Sequence, residues 1–318
     1  MPGANSKIRW PDGKDFAFTI FDDTDFSTVE NAGPIYQLLT DLGFRTTKSV
    51  WPLPGDSLKF DGKFQGSTCD DPEYTEWVTG LQRDGVEIAL HSVTYSRSTR
   101  EQVIQGFDTF SDLFGGDPKS LAQHSGREGG ESIYWGDKRL SGVNALFYNA
   151  ITRSRHKGIY QGHVEGDESF WGDISQQRLQ YVRNFVFPGI NTLKACPQMP
   201  YHDPQRPYVN YWFASSEGAN KSSFNECINE AAQDALEEEG GACIMYTHFA
   251  NSFMKDGRID ARFQSLMERL SKKNGWFVPV SELLDFLLTQ DGSHTITKRQ
   301  RSSLERRWLL HKFRVGTT

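Results

Sequence analysis

The sequence predicts an α/β domain in which a parallel sheet is covered by helices. Two observations carry this. Short runs rich in aromatic and β-branched residues alternate with stretches whose apolar residues fall at helical spacing, and glycines mark many of the junctions. In addition, four of the runs end in Asp or His. In a parallel sheet, open or closed, the carboxyl ends of the strands share one rim, and ligands bind there.

The elements follow in order. Residues 16–21 (FAFTIF) are short, aromatic and β-rich, as a buried strand should be. Ile35, Leu38, Leu39 and Leu42 then repeat at helical spacing, and Gly43 supplies the stop. Residues 44–51 are a second strand, Tyr74, Trp77, Val78 and Leu81 mark a second helix ending near Gly85, and residues 86–90 are a third strand. Val103, Phe107, Phe110 and Phe114 mark a third helix ended by Gly115-Gly116, and residues 120–123 form a short fourth strand. Residues 126–218 are rich in Gly, Pro, Trp and Tyr and read as short strands among long loops. Phe224, Cys227, Ile228, Ala231 and Ala235 form one helical stripe closed by Gly240-Gly241, before a strand over residues 242–247. Phe263, Leu266, Met267 and Leu270 mark another helix, capped at Asn274-Gly275. Residues 276–280 are a strand, and Ser281 caps a last helix over residues 282–288.

Composition narrows the function. The 318-residue chain is 37% apolar, enough for a sizeable core. Its 13% aromatic content suits either a ring-filled core or a sugar-handling surface. A net charge of −6 excludes bulk nucleic-acid binding. Residues 298–314 hold seven basic residues against one acidic, a local +6, so the rest of the chain carries −12. Cys69, Cys196, Cys227 and Cys243 are widely separated and form neither a zinc-finger nor a redox motif. Residues 1–15 show no apolar leader, and no run approaches the ~20 residues of a membrane span. The expectation is a cytoplasmic protein with reduced thiols.

The strand endings suggest chemistry. Asp22, Asp23 and Asp25 follow the first strand, His91 the third, His124 the fourth and His248 the strand at 242–247. Imidazoles and carboxylates converging on one rim are metal ligands by type, and one Asp with two His suits zinc, iron or cobalt. A divalent ion would also offset the repulsion within the Asp cluster. Asp25 reads instead as a helix cap, with Ser27 and Thr28 as alternatives.

At these residues the chain resembles the polysaccharide deacetylases (carbohydrate esterase family four), as a divergent member. Ile20-Phe21-Asp22-Asp23-Thr24 is similar to the family's Thr-Phe-Asp-Asp-Gly motif, His91-Ser92-Val93-Thr94-Tyr95 to its His-Ser/Thr-x-x-His motif, and Met245-Tyr246-Thr247-His248 to its last motif. The resemblance covers residues 14–125 and 240–288. It implies a distorted (β/α) barrel of about seven parallel strands, and a metal-dependent hydrolase that removes an acetyl group from a glycan. Asp22 would be the general base, His248 the general acid, and Asp23 and His91 metal ligands.

Tyr95 departs from the pattern, standing where a second metal histidine is expected, and the family's Arg-x-Pro motif is absent around residue 124. His124 is the candidate replacement ligand. Tyr95, Arg127, Trp171 and His202 are candidate substrate contacts, with His163 a further loop candidate. Two rival readings stand beside the deacetylase. One is a glycoside hydrolase pairing Asp22 with Glu165, Asp167 or Asp173. The other is a catalytically silent glycan-binding or scaffold relative, which Tyr95 favours. Residues 1–292 would form the barrel and 293–318 a basic helical tail. The tail would dock on an acidic membrane surface or partner, or pack Trp308 on the barrel.

Overall fold

Seven parallel strands close into a ring in the computed structural model, which describes residues 8–55, 59–60, 63–124 and 130–315. They are β1 (Phe16–Asp22), β2 (Thr47–Val50), β3 (Glu87–Leu90), β4 (Ser120–Leu121), β5 (Tyr181–Phe187), β6 (Tyr211–Ser216) and β7 (Ala242–Thr247). Each pairs with the next, through registers such as Phe21↔Thr47, Val50↔Leu90, Leu90↔Leu121, Leu121↔Val182 and Val182↔Trp212. Ser216↔Met245 joins β6 to β7, and Ala17↔Ala242 returns the ring to β1. The barrel implied by the resemblance is therefore present, with every residue of β1 buried.

Helices cover the ring with the faces that the spacing predicts. In α1 (Val29–Asp41) the buried residues include Ile35, Tyr36 and Leu39, and in α2 (Pro72–Arg83) they are Tyr74, Val78 and Leu81. In α3 (Arg100–Phe114) Val103, Phe107, Phe110 and Phe114 are buried. Gly115 closes α3 at φ 82°, a left-handed position that a side chain would strain. The cap of α1 is Thr28, in a reciprocal box with Asn31. Asp25 lies outside it, so the helix-cap role expected for Asp25 is corrected.

Other boundaries also move. The stripe expected as one helix is two, Lys221–Cys227 and α5 (Glu230–Glu239), because Asn229 caps the second. Of the strand expected over 276–280 only 276–277 join the sheet, within Gly275–Phe277, which pairs with β1 outside the ring of seven. After α6 (Ala261–Ser271), α7 (Val280–Asp291) begins before Ser281, which is not its cap. The Ser281 amide donates instead to Glu87 (2.9 Å), so a half-buried carboxylate serves the helix start.

The basic tail is a helix, α8 (Lys298–Val315), packed on the barrel. Leu304 and Trp308 are buried, with the Trp308 ring 5.7 Å from Phe185 of β5. Arg301 forks onto buried Asp203, and buried Glu305 accepts from Ser141 (2.8 Å) and Asn144 (2.7 Å). Leu304 and Trp308 are thus used internally, while Leu310 and Phe313 of the same helix are exposed.

Glu217 fastens the end of α8, at 3.3 Å from Lys312 Nζ and 3.6 Å from His311 Nε2. Burial opposes its ionisation, but His311 and Lys312 outweigh that and hold it at about 2. A depressed carboxylate stabilises the fold above its ordinary value of about 4.5 and loses that contribution as pH falls toward 2. The expected loss is about 2–3 kcal/mol. Thermal melts between pH 5 and 2 should therefore fall more steeply for the wild type than for Glu217→Gln, and parallel curves would refute the linkage.

Candidate functional site

Side-chain alternation along β1 decides which aspartate reaches the interior. Asp22 turns outward to the helix layer. Its carboxylate accepts from Tyr36 of α1 (3.1 Å) and the Phe249 amide (2.8 Å), and pairs with buried Lys48 (3.0 Å). Burial opposes the Lys48 charge, and Asp22 more than restores it, so the ammonium stays above its ordinary value. Asp23, one residue on, faces inward. There Arg183 of β5 donates to both of its oxygens, at 2.9 and 2.5 Å.

Asp25 lies two residues further, at the centre of three histidines. His91 Nε2 is 2.9 Å from Oδ2, His124 Nε2 3.2 Å from Oδ1, and His248 Nε2 3.3 Å from Oδ2. The three rings hang from the ends of β3, β4 and β7, which the barrel brings to one rim. Burial works against the Asp25 charge, but His91, His124 and His248 offset it and hold the carboxyl well below the usual range. Burial likewise opposes a charged His248, yet Asp25 and then Asp23 raise it to about 9.

Backbone carbonyls orient two of the rings. His91 Nδ1 lies 2.9 Å from the Ala122 carbonyl and His248 Nδ1 2.8 Å from that of Ala219. With Nδ1 donating there, a neutral His91 turns its Nε2 lone pair inward, whereas a charged His248 turns an Nε2–H toward Asp25. His91 Nε2 is buried and, although Asp25 is close, has no hydrogen-bond partner in line with it. A buried ring nitrogen without its own hydrogen bond, beside a carboxylate and a second imidazole, fits a metal ligand. Asp25, His91 and His124 place one donor atom each within 4.8 Å of one another, as do Asp23, Asp25 and His248.

These groups open onto a cavity of about 390 Å³, also lined by Trp135, Arg139, Arg183 and Tyr246, and by Trp308 and Lys312 of α8. Asp22 is not among its lining residues. Of the Asp22-Asp23 pair, the carboxylate that lines the cavity is that of Asp23.

The substrate contacts expected from the sequence are scattered. Tyr95 is buried against Trp51 (5.7 Å), whose ring also packs on His91 and His124. It supports the site from behind rather than lining it. Trp171 is buried, donates to the Glu131 carbonyl (2.6 Å) and is structural. His202 lies toward the amino-terminal rim, in a separate groove with Lys119 and Tyr211. His163 accepts from the Tyr134 amide (3.2 Å) and stands outside the cavity. Arg127 lies outside the described residues. Asp167 and Asp173 are engaged by Arg97 (3.5 Å) and Arg100 (2.6 Å), Glu165 by the Tyr208 hydroxyl, and none of the three lines the cavity.

Three site residues escaped the sequence reading. Asp25 looked like a cap, and Arg139 and Arg183 lie in the stretch read as loops. For Arg183 a signal existed: a lone arginine inside YVRNFVF is costly to bury unless a carboxylate awaits it.

No family model and no curated protein matches the chain. Solved structures do. A protein of Mycobacterium smegmatis assigned as a polysaccharide deacetylase has TM-score 0.50 and 13% identity, over 93% of this chain and 98% of that one. An allantoinase, Puue, has TM-score 0.49 and 12% identity, over 89% and 94% of the two chains. A protein of Pseudomonas aeruginosa PAO1 assigned as a polysaccharide deacetylase has TM-score 0.48 and 12% identity, over 89% and 94%. At such identity the likeness is one of fold, and the fold is that of the first of these structures.

Proposed function

We propose that the chain is a metal-dependent hydrolase that removes an acetyl group from a carbohydrate. The observation that carries this reading is Asp25 within 3.3 Å of three imidazole nitrogens, beside an inward-facing second carboxylate. Asp25, His91 and His124 would hold the ion, and one carboxylate with two imidazoles suits zinc. When bound, the ion would acidify water and polarise the acyl oxygen.

The protein's own groups supply the proton transfers. Arg183 fixes Asp23 in the cavity, where its carboxylate can take the proton of an attacking water. The water oxygen bonds to the acyl carbon. The bond to the sugar nitrogen or oxygen then breaks, its electron pair leaving with the sugar. His248, charged at neutral pH, gives that atom its proton. Acetate and a free amine or hydroxyl result, and the proton released by Asp23 is matched by one that His248 regains from solvent. Trp135, Trp308 and Tyr246 line the cavity and give it aromatic surface suited to a sugar.

The glycoside-hydrolase reading needs two carboxylates across a sugar. Among the described residues, Asp23 and Asp25 are the carboxylates of the cavity, one clasped by Arg183 and the other ringed by imidazoles.

The test is metal content by mass spectrometry, followed by acetate release from acetylated oligosaccharides with and without chelator. About one metal per chain and chelator-sensitive release are expected. Metal without acetate release would point to another hydrolase, and no metal at any loading to the silent binding relative.

A further inference from the structure

Arg139 occupies the same cavity without a counter-ion. It is buried, and its guanidinium carbon lies over the Trp135 ring at 3.3 Å from the ring centre and over that of Trp308 at 5.0 Å. Its Nε has no hydrogen-bond partner, and among the described residues no carboxylate comes within ion-pair distance. The neighbouring charges are already matched. Arg183 is clasped to Asp23, Lys312 lies 3.3 Å from Glu217, and nearby Arg206 is paired with Asp203. Asp137, two residues before Arg139, faces Asn149 (3.5 Å) instead.

Arg139 lines the cavity, and a guanidinium carries paired N–H donors that suit a planar, two-oxygen anion. Burial lowers its pKa to about 9, which still leaves a cation at neutral pH whose charge no described residue balances.

We propose that Arg139 binds a carboxylate of the substrate, so that the sugar processed here is acidic, of the uronic-acid type. One unmatched positive charge suits a monoanion better than a phosphate monoester. The assignment rests on the cavity being the hydrolase site, but its test does not need turnover.

Binding of glucuronate oligosaccharides, their neutral glucose counterparts and glucose 6-phosphate is measured by calorimetry. The proteins are wild type, Arg139→Lys, Arg139→Gln and Asp25→Ala. The wild type should prefer the uronate at least about tenfold, the scale of one desolvated charge-assisted bond. Arg139→Gln should lose that preference with metal content unchanged, and Arg139→Lys should keep part of it. Asp25→Ala should lose metal yet retain the preference, which separates this assignment from the hydrolase reading. Equal binding of uronate and neutral sugar by the wild type overturns the proposal without requiring a folded variant. So does a preference that survives Arg139→Gln, or a stronger preference for the phosphate.

A second, independent observation concerns α4 (Gly142–Ile151). Val143, Leu146, Phe147 and Ile151 follow helical spacing, yet are 80%, 71%, 54% and 42% exposed. An unpartnered apolar helix face of this kind marks a docking surface. Exposed Arg153, Arg155 and Lys157 follow directly, and among the described residues none of the three is ion-paired. Apolar face and basic flank together match an anionic lipid surface.

We infer that α4 seats the protein on anionic membranes. In flotation with vesicles of phosphatidylcholine and phosphatidylglycerol, the wild type should float. Leu146→Asp/Phe147→Asp should not, and pure phosphatidylcholine should capture little. No flotation of the wild type, or flotation unchanged in the double variant, overturns the inference. So does sedimentation showing a dimer that the double variant dissolves.

Discussion

Asp25→Ala is expected to lower metal affinity at least about 100-fold and to abolish turnover. Asp25 is shared by both sets of side chains that could hold an ion, Asp25/His91/His124 and Asp23/Asp25/His248. Removing it dismantles either, and removing a partner of a bound ligand alone costs about 10–100-fold. The histidines then separate the two sets. His124→Ala should lose the metal. His248→Ala should keep it and slow turnover by about 10²–10⁴, the usual share of a general acid. Metal stoichiometry by mass spectrometry, with acetate release on the same samples, checks both. Full metal content in Asp25→Ala would end the assignment, and metal lost from His248→Ala but not from His124→Ala would transfer it to the other set.

Asp22→Ala should act on stability, with metal content and chemistry in the surviving folded fraction little changed. The residue lies beside the putting-together of the site in sequence, but its charge answers Lys48, whose side chain is fully buried. Removing one member of such a pair leaves an uncompensated buried charge and costs about 3–5 kcal/mol. Melting should drop by about 10 °C in a chain of this length. Adding Lys48→Met should recover much of the loss, because the stranded charge leaves with it. Should Asp22→Ala melt like the wild type and bind metal normally while losing turnover, Asp22 would be the base expected from the motif.

These two aspartates show what the sequence can and cannot tell. The three histidines are legible because each directly follows the apolar run of its strand. Which aspartate faces the interior is not legible, because a shift of one residue in the strand reverses every side chain. Asp25 was hidden further by its place in a turn, before Phe26 at φ 60°, where a cap is the ordinary expectation. Strands β1, β2, β3 and β7 stand out through apolar runs between helical stripes. Strands β5 and β6 do not. Arg183 interrupts the first, and the flanking loops are as aromatic as the strands. The loss of a motif histidine at Tyr95 and the presence of His124 could be read as linked, and the barrel does set those histidine rings, His91 and His124, 5.3 Å apart.

Closure of the ring has a kinetic side. Ala17 must find Ala242 before β1 and β7 can pair, and the imidazoles around Asp25 come from three separate strand ends. Contacts so distant along the chain form late and slow folding. Until β1 and β7 pair, His248 stays away from the cluster. Ion capture during refolding should therefore follow the pairing of β1 to β4, which carry Asp25, His91 and His124, and His248 should join them only when β7 seals the barrel.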